Sequence, residues 1–121
     1  MELFISDLDG TLLNGNAEVT EFTRDTLNRL MAKGLNFTAA TARTLASAGK
    51  ILLGLDLKLP VILMNGVLIY DMAEKKYVKI NSLSRELCGL IIGLSKGIGL
   101  EPFMYSVSDN QLSTRYERLI S

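Results

Sequence analysis

The sequence contains no histidine and only one cysteine, Cys88. Without histidine the chain cannot build a Ser–His or Cys–His nucleophile pair or a histidine-ligated zinc site. A single cysteine excludes internal disulfides and thiolate metal clusters, and we interpret Cys88 as a small packed hydrophobe. If the chain is an enzyme, its chemistry must come from carboxylates, hydroxyls, amides, lysine or arginine, with or without a hard metal ion.

An excess of one charge and long apolar runs are also missing. Thirteen basic residues balance thirteen acidic ones among 121 residues, so we expect no nucleic acid and no anionic membrane surface as partner. No apolar run approaches the ~18 residues that a membrane span needs. The first seven residues lack the basic segment of a signal peptide. These absences predict a soluble, cytoplasmic protein.

The first 65 residues alternate between short apolar runs and helical patterns. An apolar run at residues 3–5 stops at Asp7, and a helix with Thr20 as its N-cap ends at residues 33–34. The order then repeats, with a strand at residues 35–40, a weaker helix at about 44–53 and a strand at 61–64. Because two crossovers of this length join successive strands, we predict an α/β fold with a parallel sheet.

The regular alternation of strands and helices ends after residue 71. Residues 67–70 and 77–80 flank a polar stretch, which is the pattern of an antiparallel hairpin. A helix is predicted at about residues 84–96 and a strand at 102–105, whereas 106–121 give no clear assignment. We therefore place a domain boundary between residues 1–71 and 72–121.

Chemically useful side chains follow each of the first three predicted strands. In an open parallel sheet, ligands bind at the carboxyl ends of the strands. The candidate site residues there are Asp7, Leu8, Asp9, Gly10, Thr11, Thr41, Arg43 and Asn65.

Asp7 and Asp9 are the most informative pair. Two carboxylates at this spacing repel each other unless a cation lies between them, and Mg²⁺ suits such a site because it prefers oxygen ligands. Asp7 could attack phosphorus and Asp9 could act as general acid and base. Gly10 would let backbone amides approach a phosphate, and Thr11 adds a hydroxyl. The alternative is an ordinary acidic turn.

Three segments resemble the haloacid dehalogenase-like (HAD) superfamily of phosphatases. Residues 7–13 (DLDGTLL) look like its first signature, directly after an N-terminal strand. Residues 37–43 (FTAATAR) resemble the second signature of the Cof-type (IIB) branch, with Ala42 where glycine is usual. Residues 60–66 and 69–71 are similar to the segment that leads into the cap of that branch. The resemblance implies a partial Rossmann-like HAD sheet, with residues 1–71 in the core and 72–121 at the start of an α/β cap.

The resemblance also implies roles for the candidate residues. Asp7 is the nucleophile and a Mg²⁺ ligand, and Asp9 is the general acid and base, which offers its backbone carbonyl to the metal. Thr41 binds the transferring phosphoryl group, while Arg43 and Asn65 hold phosphate or substrate. The implied reaction is Mg²⁺-dependent hydrolysis of a small phosphorylated metabolite, such as a sugar phosphate, through an aspartyl-phosphate. An acid at position 9 favours a phosphatase or a phosphomutase over a dehalogenase or a P-type ATPase.

Two further motifs of the superfamily are missing from the chain. In the superfamily, a lysine restrains the nucleophile and the phosphate, and a Gly-Asp motif completes the metal site. No Gly-Asp pair occurs anywhere in this chain, and none of its lysines lies at a credible position for the first role. The resemblance therefore implies an N-terminal fragment that is weakly active or inactive alone. Two alternatives stay open, a fragment of a phosphomutase and a non-catalytic module that forms a homodimer through an exposed sheet edge.

Structural roles are also open for three candidates. Arg43 could cap a loop or pair with Asp56. Thr41 could be a helix N-cap. Asn65 and Gly66 could form an ordinary turn.

Overall fold

The computed structural model describes residues 1–115, which divide into two compact units. The first unit spans Met1–Asn81, and the second begins at Ser82. The elements of the first unit are β1 (Phe4–Ser6), α1 (Glu21–Ala32), β2 (Phe37–Ala39), α2 (Leu45–Leu52), β3 (Val61–Leu63), β4 (Leu68–Asp71) and β5 (Lys76–Ile80). The division lies after the predicted boundary at residue 71 because the hairpin of β4 and β5 extends the sheet of the first unit.

The parallel part of the sheet agrees with the sequence. β1 pairs with β2 in parallel, with Phe4 opposite Phe37 and Ser6 opposite Ala39. A single parallel bridge between Ala40 and Ile62 links β2 to β3. A helix connects β1 to β2 and another connects β2 to β3, so the predicted α/β fold with a parallel sheet is confirmed.

The hairpin prediction is also confirmed. β3 pairs with β4 in antiparallel fashion, and β4 pairs with β5 in the same way. The rings of Tyr70 and Tyr77 meet edge to face across this hairpin, with their centroids 4.9 Å apart, a geometry that aromatic pairs favour.

The core of the first unit is centred on β2 and β3. Leu8, Ala39, Val61 and Leu63 are fully buried there. α1 begins after Thr20, whose side chain accepts a hydrogen bond from the backbone N–H of Thr23, which satisfies one free donor of the first turn. These contacts fix the strand ends from which the candidate site residues project.

The second unit contains a helix and a hairpin. Its elements are α3 (Arg85–Gly97), β6 (Met104–Ser108) and β7 (Gln111–Arg115). The sequence predicted α3 but not β7. The signal for the hairpin lies at Asp109 and Asn110, which have φ of 51° and 60°, as a tight two-residue hairpin turn requires. Residues 116–121, the end of the unassigned tail, lie outside the described residues.

No helix within residues 1–115 combines the length and the apolar character needed to cross a bilayer.

Candidate functional site

Three loops leave the carboxyl ends of β1, β2 and β3, and we call them the strand-end loops (residues 7–13, 41–44 and 64–67). Backbone hydrogen bonds join the second loop to the third. The N–H of Met64 donates to the carbonyl of Arg43 at 3.1 Å, and the N–H of Asn65 donates to the carbonyl of Thr41 at 3.0 Å. The second and third loops are therefore held together by peptide groups rather than by side chains.

The first strand-end loop is a tight turn that needs glycine. Asp9 has φ −66° and ψ 127°, and Gly10 has φ 75° and ψ 1°, which are the central angles of a type II turn. The N–H of Leu13 closes the loop on the carbonyl of Leu8 at 3.0 Å. Leu8 itself is fully buried, so its side chain anchors the loop and only its backbone could meet a substrate.

The carboxylate of Asp7 is held at the start of this loop. Its Oδ1 accepts a hydrogen bond of 2.7 Å from the N–H of Leu8. This bond orients the side chain and leaves the other carboxylate oxygen with no hydrogen-bond partner among the described residues. An exposed carboxylate in this state can bind a cation or attack an electrophile.

The third strand-end loop has an unusual backbone. Met64, Asn65 and Gly66 all have positive φ, at 49°, 55° and 92°. Positive φ is uncommon for residues other than glycine, and it marks backbone strain that is often stored at functional sites. Asn65-Gly66 predicts a turn here, but nothing in the sequence signals the left-handed conformation of Met64.

An open cleft lies between the three loops. It is lined by Asp7, Ala40, Thr41, Ala42, Ile62, Asn65 and Gly66. The cleft therefore brings together three of the predicted site residues, Asp7, Thr41 and Asn65. The backbone at Ala42 lies outside the left-handed region, so alanine can replace the glycine usual at this position without strain.

Thr41 is buried, with 5% of its surface exposed. Its Oγ1 accepts a hydrogen bond of 3.1 Å from the N–H of Arg43, which leaves the hydroxyl hydrogen able to donate to another group. Thr41 is not a helix N-cap, since Thr44 occupies that position in α2. The structural alternative for Thr41 is therefore wrong.

Arg43 makes the strongest polar contact of the site. Its Nε donates to Oδ2 of Asp9 at 2.8 Å and its Nη2 donates to Oδ1 at 2.7 Å, which is the two-bond geometry that guanidinium and carboxylate groups favour. Nη1 donates to Oγ of Ser47 at 2.6 Å. The suggested pair with Asp56 is wrong, since Arg43 binds Asp9 instead.

The ion pair changes the acidity of both partners. The hydrogen bonds from Arg43 lower the pKa of Asp9 below its ordinary value, and the bond to Asp9 raises the pKa of Arg43. Asp9 is therefore a carboxylate at neutral pH, and the pair neutralises charge next to Asp7.

The remaining predicted residues lie outside the cleft. Gly10 and Thr11 are exposed on the first loop, and neither lines the cleft, nor do the side chains of Asp9 and Arg43. Ser47 was not predicted. Its position four residues after Arg43, at the start of a helix, is the signal that could have identified it.

The donor set suits a magnesium ion only in part. No group of three or more acidic or cysteine side chains that could hold a metal occurs within residues 1–115. Both carboxylate oxygens of Asp9 accept hydrogen bonds from Arg43, which leaves the carboxylate of Asp7 for a cation. Mg²⁺ accepts this arrangement because it often takes one or two carboxylates together with waters and a substrate phosphate.

A model of the haloacid dehalogenase-like hydrolase family matches residues 4–118. The chain therefore belongs to the haloacid dehalogenase-like hydrolase family, and the resemblance seen in its strand-end motifs is confirmed.

Three relatives illustrate the likeness. A candidate phosphatase of Mycoplasma genitalium is 37% identical over 94 residues, which cover 76% of this chain and 34% of that protein. The crystal structure of TM0651 from Thermotoga maritima is 27% identical with a TM-score of 0.69, and the match covers 93% of this chain and 41% of that one. The subclass IIB sugar phosphatase BT4131 shares the fold at 21% identity and a TM-score of 0.62, covering 94% and 44%. The chain thus spans less than half the length of these relatives.

Proposed function

We propose that the chain carries part of the active site of a phosphoric monoester hydrolase that works through an aspartyl-phosphate on Asp7. The observation that supports this proposal most directly is the cleft that Asp7, Thr41 and Asn65 share. A nucleophile, a hydroxyl donor and an amide in one cleft provide an attacking group and partners for phosphoryl oxygens.

The reaction would have two steps. In the first, a carboxylate oxygen of Asp7 bonds to phosphorus while the bond from phosphorus to the ester oxygen breaks, and protonated Asp9 gives its proton to the leaving alkoxide. In the second step, a water molecule attacks the same phosphorus while Asp9 takes a proton from that water. The bond between phosphorus and Asp7 then breaks, which releases phosphate and restores the carboxylate.

Thr41 and Asn65 would position the phosphoryl group. The hydroxyl oxygen of Thr41 already accepts a hydrogen bond from the backbone N–H of Arg43. The hydroxyl hydrogen would therefore donate to a phosphoryl oxygen. The side-chain amide of Asn65 would add another donor. Positioning of this kind supplies most of the protein's contribution to phosphoryl transfer.

Arg43 would control the state of Asp9. In the present arrangement Asp9 is ionised, which is the form that accepts a proton from water. To donate a proton it must first separate from Arg43. An incoming phosphoryl group is an anion and would compete with Asp9 for the guanidinium.

Mg²⁺ would be held by the carboxylate of Asp7 and by the backbone carbonyl of Asp9. When bound, the ion neutralises charge on the phosphoryl oxygens during transfer. The side chain of Asp9 would not bind the ion, so it remains available for the proton transfers.

The substrate class we propose is a small phosphorylated metabolite in the cytoplasm. The name of the subclass IIB relative describes a sugar phosphatase, and a sugar phosphate is our first candidate here. A phosphomutase is the alternative within the same chemistry, because Asp9 would then return the phosphoryl group to a second hydroxyl rather than activate water.

Binding of a phosphate analogue to the 121-residue chain tests the site. We expect beryllium fluoride with Mg²⁺ to shift the amide NMR signals of residues 7–11 and 41–43. The variant Asp7→Asn should abolish these shifts because it removes the charge that holds the cation. Asp56→Asn is the matched control, since Asp56 is exposed and its carboxylate has no partner in the described part of the chain. Equal shifts in Asp7→Asn and the unchanged protein would refute the proposal.

Turnover is a separate prediction. We expect the 121-residue chain alone to hydrolyse a generic phosphate ester slowly or not at all, since the lysine and Gly-Asp motifs that the family resemblance requires do not occur in it. Phosphate release with p-nitrophenyl phosphate and Mg²⁺ measures this. Substantial Mg²⁺-dependent release that Asp7→Asn abolishes would contradict the prediction while it supports the role of Asp7.

A second candidate function is self-association through β1. Leu3, Phe4 and Ile5 are each about half exposed, at 50–52%. The N–H of Phe4 and the carbonyl of Ser6 bond toward the β2 side of the strand, so the peptide groups of Ile5 point to the opposite edge. An open edge with apolar side chains favours pairing with another copy.

Light scattering over a range of protein concentrations tests this candidate. We expect a concentration-dependent dimer that Ile5→Lys shifts to the monomer, because a charge on an edge strand opposes pairing. Val78→Lys on β5 is the matched control, since Val78 is exposed to a similar degree, at 46%. A monomer at every concentration would exclude the dimer.

A further inference from the structure

We infer that Ser47 is a positioning residue, which holds the Arg43 guanidinium in the orientation that binds Asp9. This inference rests on the proposed function for its role in catalysis, but the contact itself is independent of it. The observation is a three-residue network in which the guanidinium is held from two directions, by the Asp9 carboxylate and by the Ser47 hydroxyl.

The donor count shows how fully Arg43 is constrained. A guanidinium has five N–H donors in one plane. Nε and one hydrogen of Nη2 bind Asp9, and one hydrogen of Nη1 binds Ser47, so two of the five donors remain, one on each terminal nitrogen. Asp9 and Ser47 therefore fix which two donors can meet an anionic group of a substrate.

Ser47 is a suitable anchor because its helix is firmly packed. Ala48 and Leu52 of α2 are buried, with 0% and 1% of their surfaces exposed. Arg43 lies in the loop before this helix, and its long side chain has many rotamers to lose. A hydrogen bond to a packed helix adds a second restriction on those rotamers, beside the ion pair with Asp9, which is exposed on the first strand-end loop.

The orientations of these three side chains therefore depend on one another in sequence. Ser47 fixes Arg43, and Arg43 fixes Asp9. Loss of the Ser47 hydroxyl should loosen the guanidinium without removing any charge from the site. This separates a positioning role from an electrostatic one.

Guanidinium NMR of Arg43 tests the contact directly. We expect Ser47→Ala to speed rotation and hydrogen exchange at the Arg43 guanidinium about two- to tenfold, which is the factor expected for one lost hydrogen bond. Ser47→Thr keeps a hydroxyl and should restore the slow exchange. Thr44→Ala is the matched control, because it removes a hydroxyl from the same segment that makes no capping hydrogen bond. If Ser47→Ala prevents folding, Ser47→Cys keeps the volume with a much weaker acceptor.

Affinity for beryllium fluoride with Mg²⁺ provides the functional readout. We expect Ser47→Ala to weaken it by a similar factor, with Ser47→Thr and Thr44→Ala unchanged. Unchanged guanidinium exchange in both Ser47→Ala and Ser47→Cys would overturn the inference. Failure of the unchanged protein to bind beryllium fluoride would instead count against the proposed function, and the exchange measurement would still decide the role of Ser47.

Discussion

The two units of the molecule differ in how they use apolar side chains. Every residue that is buried in the described chain belongs to the first unit, and none of residues 82–115 is buried. In α3 the apolar face of Leu87, Leu90, Ile91 and Leu94 is 41–63% exposed. The chemically useful residues follow the strands of the unit that has a core. A core fixes backbone positions closely enough for short hydrogen bonds, and in this chain only the first unit provides one among the described residues.

Leucine truncation should give the largest difference between the units. Leu63 is fully buried in β3, so Leu63→Ala should lower the free energy of unfolding by about 2–5 kcal/mol through lost burial and a cavity. Leu90→Ala, on the exposed face of α3, should change it by no more than about 0.5 kcal/mol. Urea unfolding followed by circular dichroism measures both. A comparable loss in the two variants would show that the α3 face is covered in solution.

Glycine replacement should act in opposite directions in the two units. Gly10 has φ 75° in a type II turn, so Gly10→Ala should destabilise the first unit by about 1–2 kcal/mol. Gly93 lies inside α3, and a Cβ there meets nothing within 4 Å. Gly93→Ala should therefore stabilise the helix by about 0.5–1 kcal/mol. Thermal unfolding separates the two effects, and a stabilising Gly10→Ala would disprove the turn assignment.

The smallest expected effect is a pH dependence confined to the first unit. Arg43 lowers the pKa of Asp9, so the folded state binds a proton at Asp9 less readily than the unfolded chain does. The pair then stabilises the fold above the ordinary carboxyl pKa of 3.8, and this contribution disappears as the pH falls through the lowered value. Carbon NMR of the Asp9 carboxyl measures the titration. Arg43→Gln should move the midpoint upward, and no movement would show that the pair does not persist in solution.

Much of the first unit could be predicted from the sequence, because its signals are local. The apolar runs, the cap at Thr20 and the alternation of strands with helices all depend on neighbouring residues, and they predict where Asp7, Thr41 and Asn65 lie. The partner of Arg43 was not predicted, since Asp9 lies 34 positions away in the sequence and the sequence suggested Asp56 instead. The strand predicted at residues 102–105 overlaps the start of β6, but β7 and its pairing with β6 were missed. The residues of β7 are mostly polar, and only the two-residue turn marks the hairpin.

The bonds between the second and third strand-end loops also bear on how this site can vary. The groups that join the loops are the carbonyls of Thr41 and Arg43 and the N–H groups of Met64 and Asn65. Every amino acid supplies the carbonyl, and every one except proline supplies the N–H. Side chains along the floor of the cleft can therefore change while its shape is retained. A cleft of this kind can be adapted to new substrates by replacing side chains, provided that positions 64 and 65 keep residues that accept a positive φ. Proline at either position is excluded, because it lacks the N–H and its φ is fixed at a negative value.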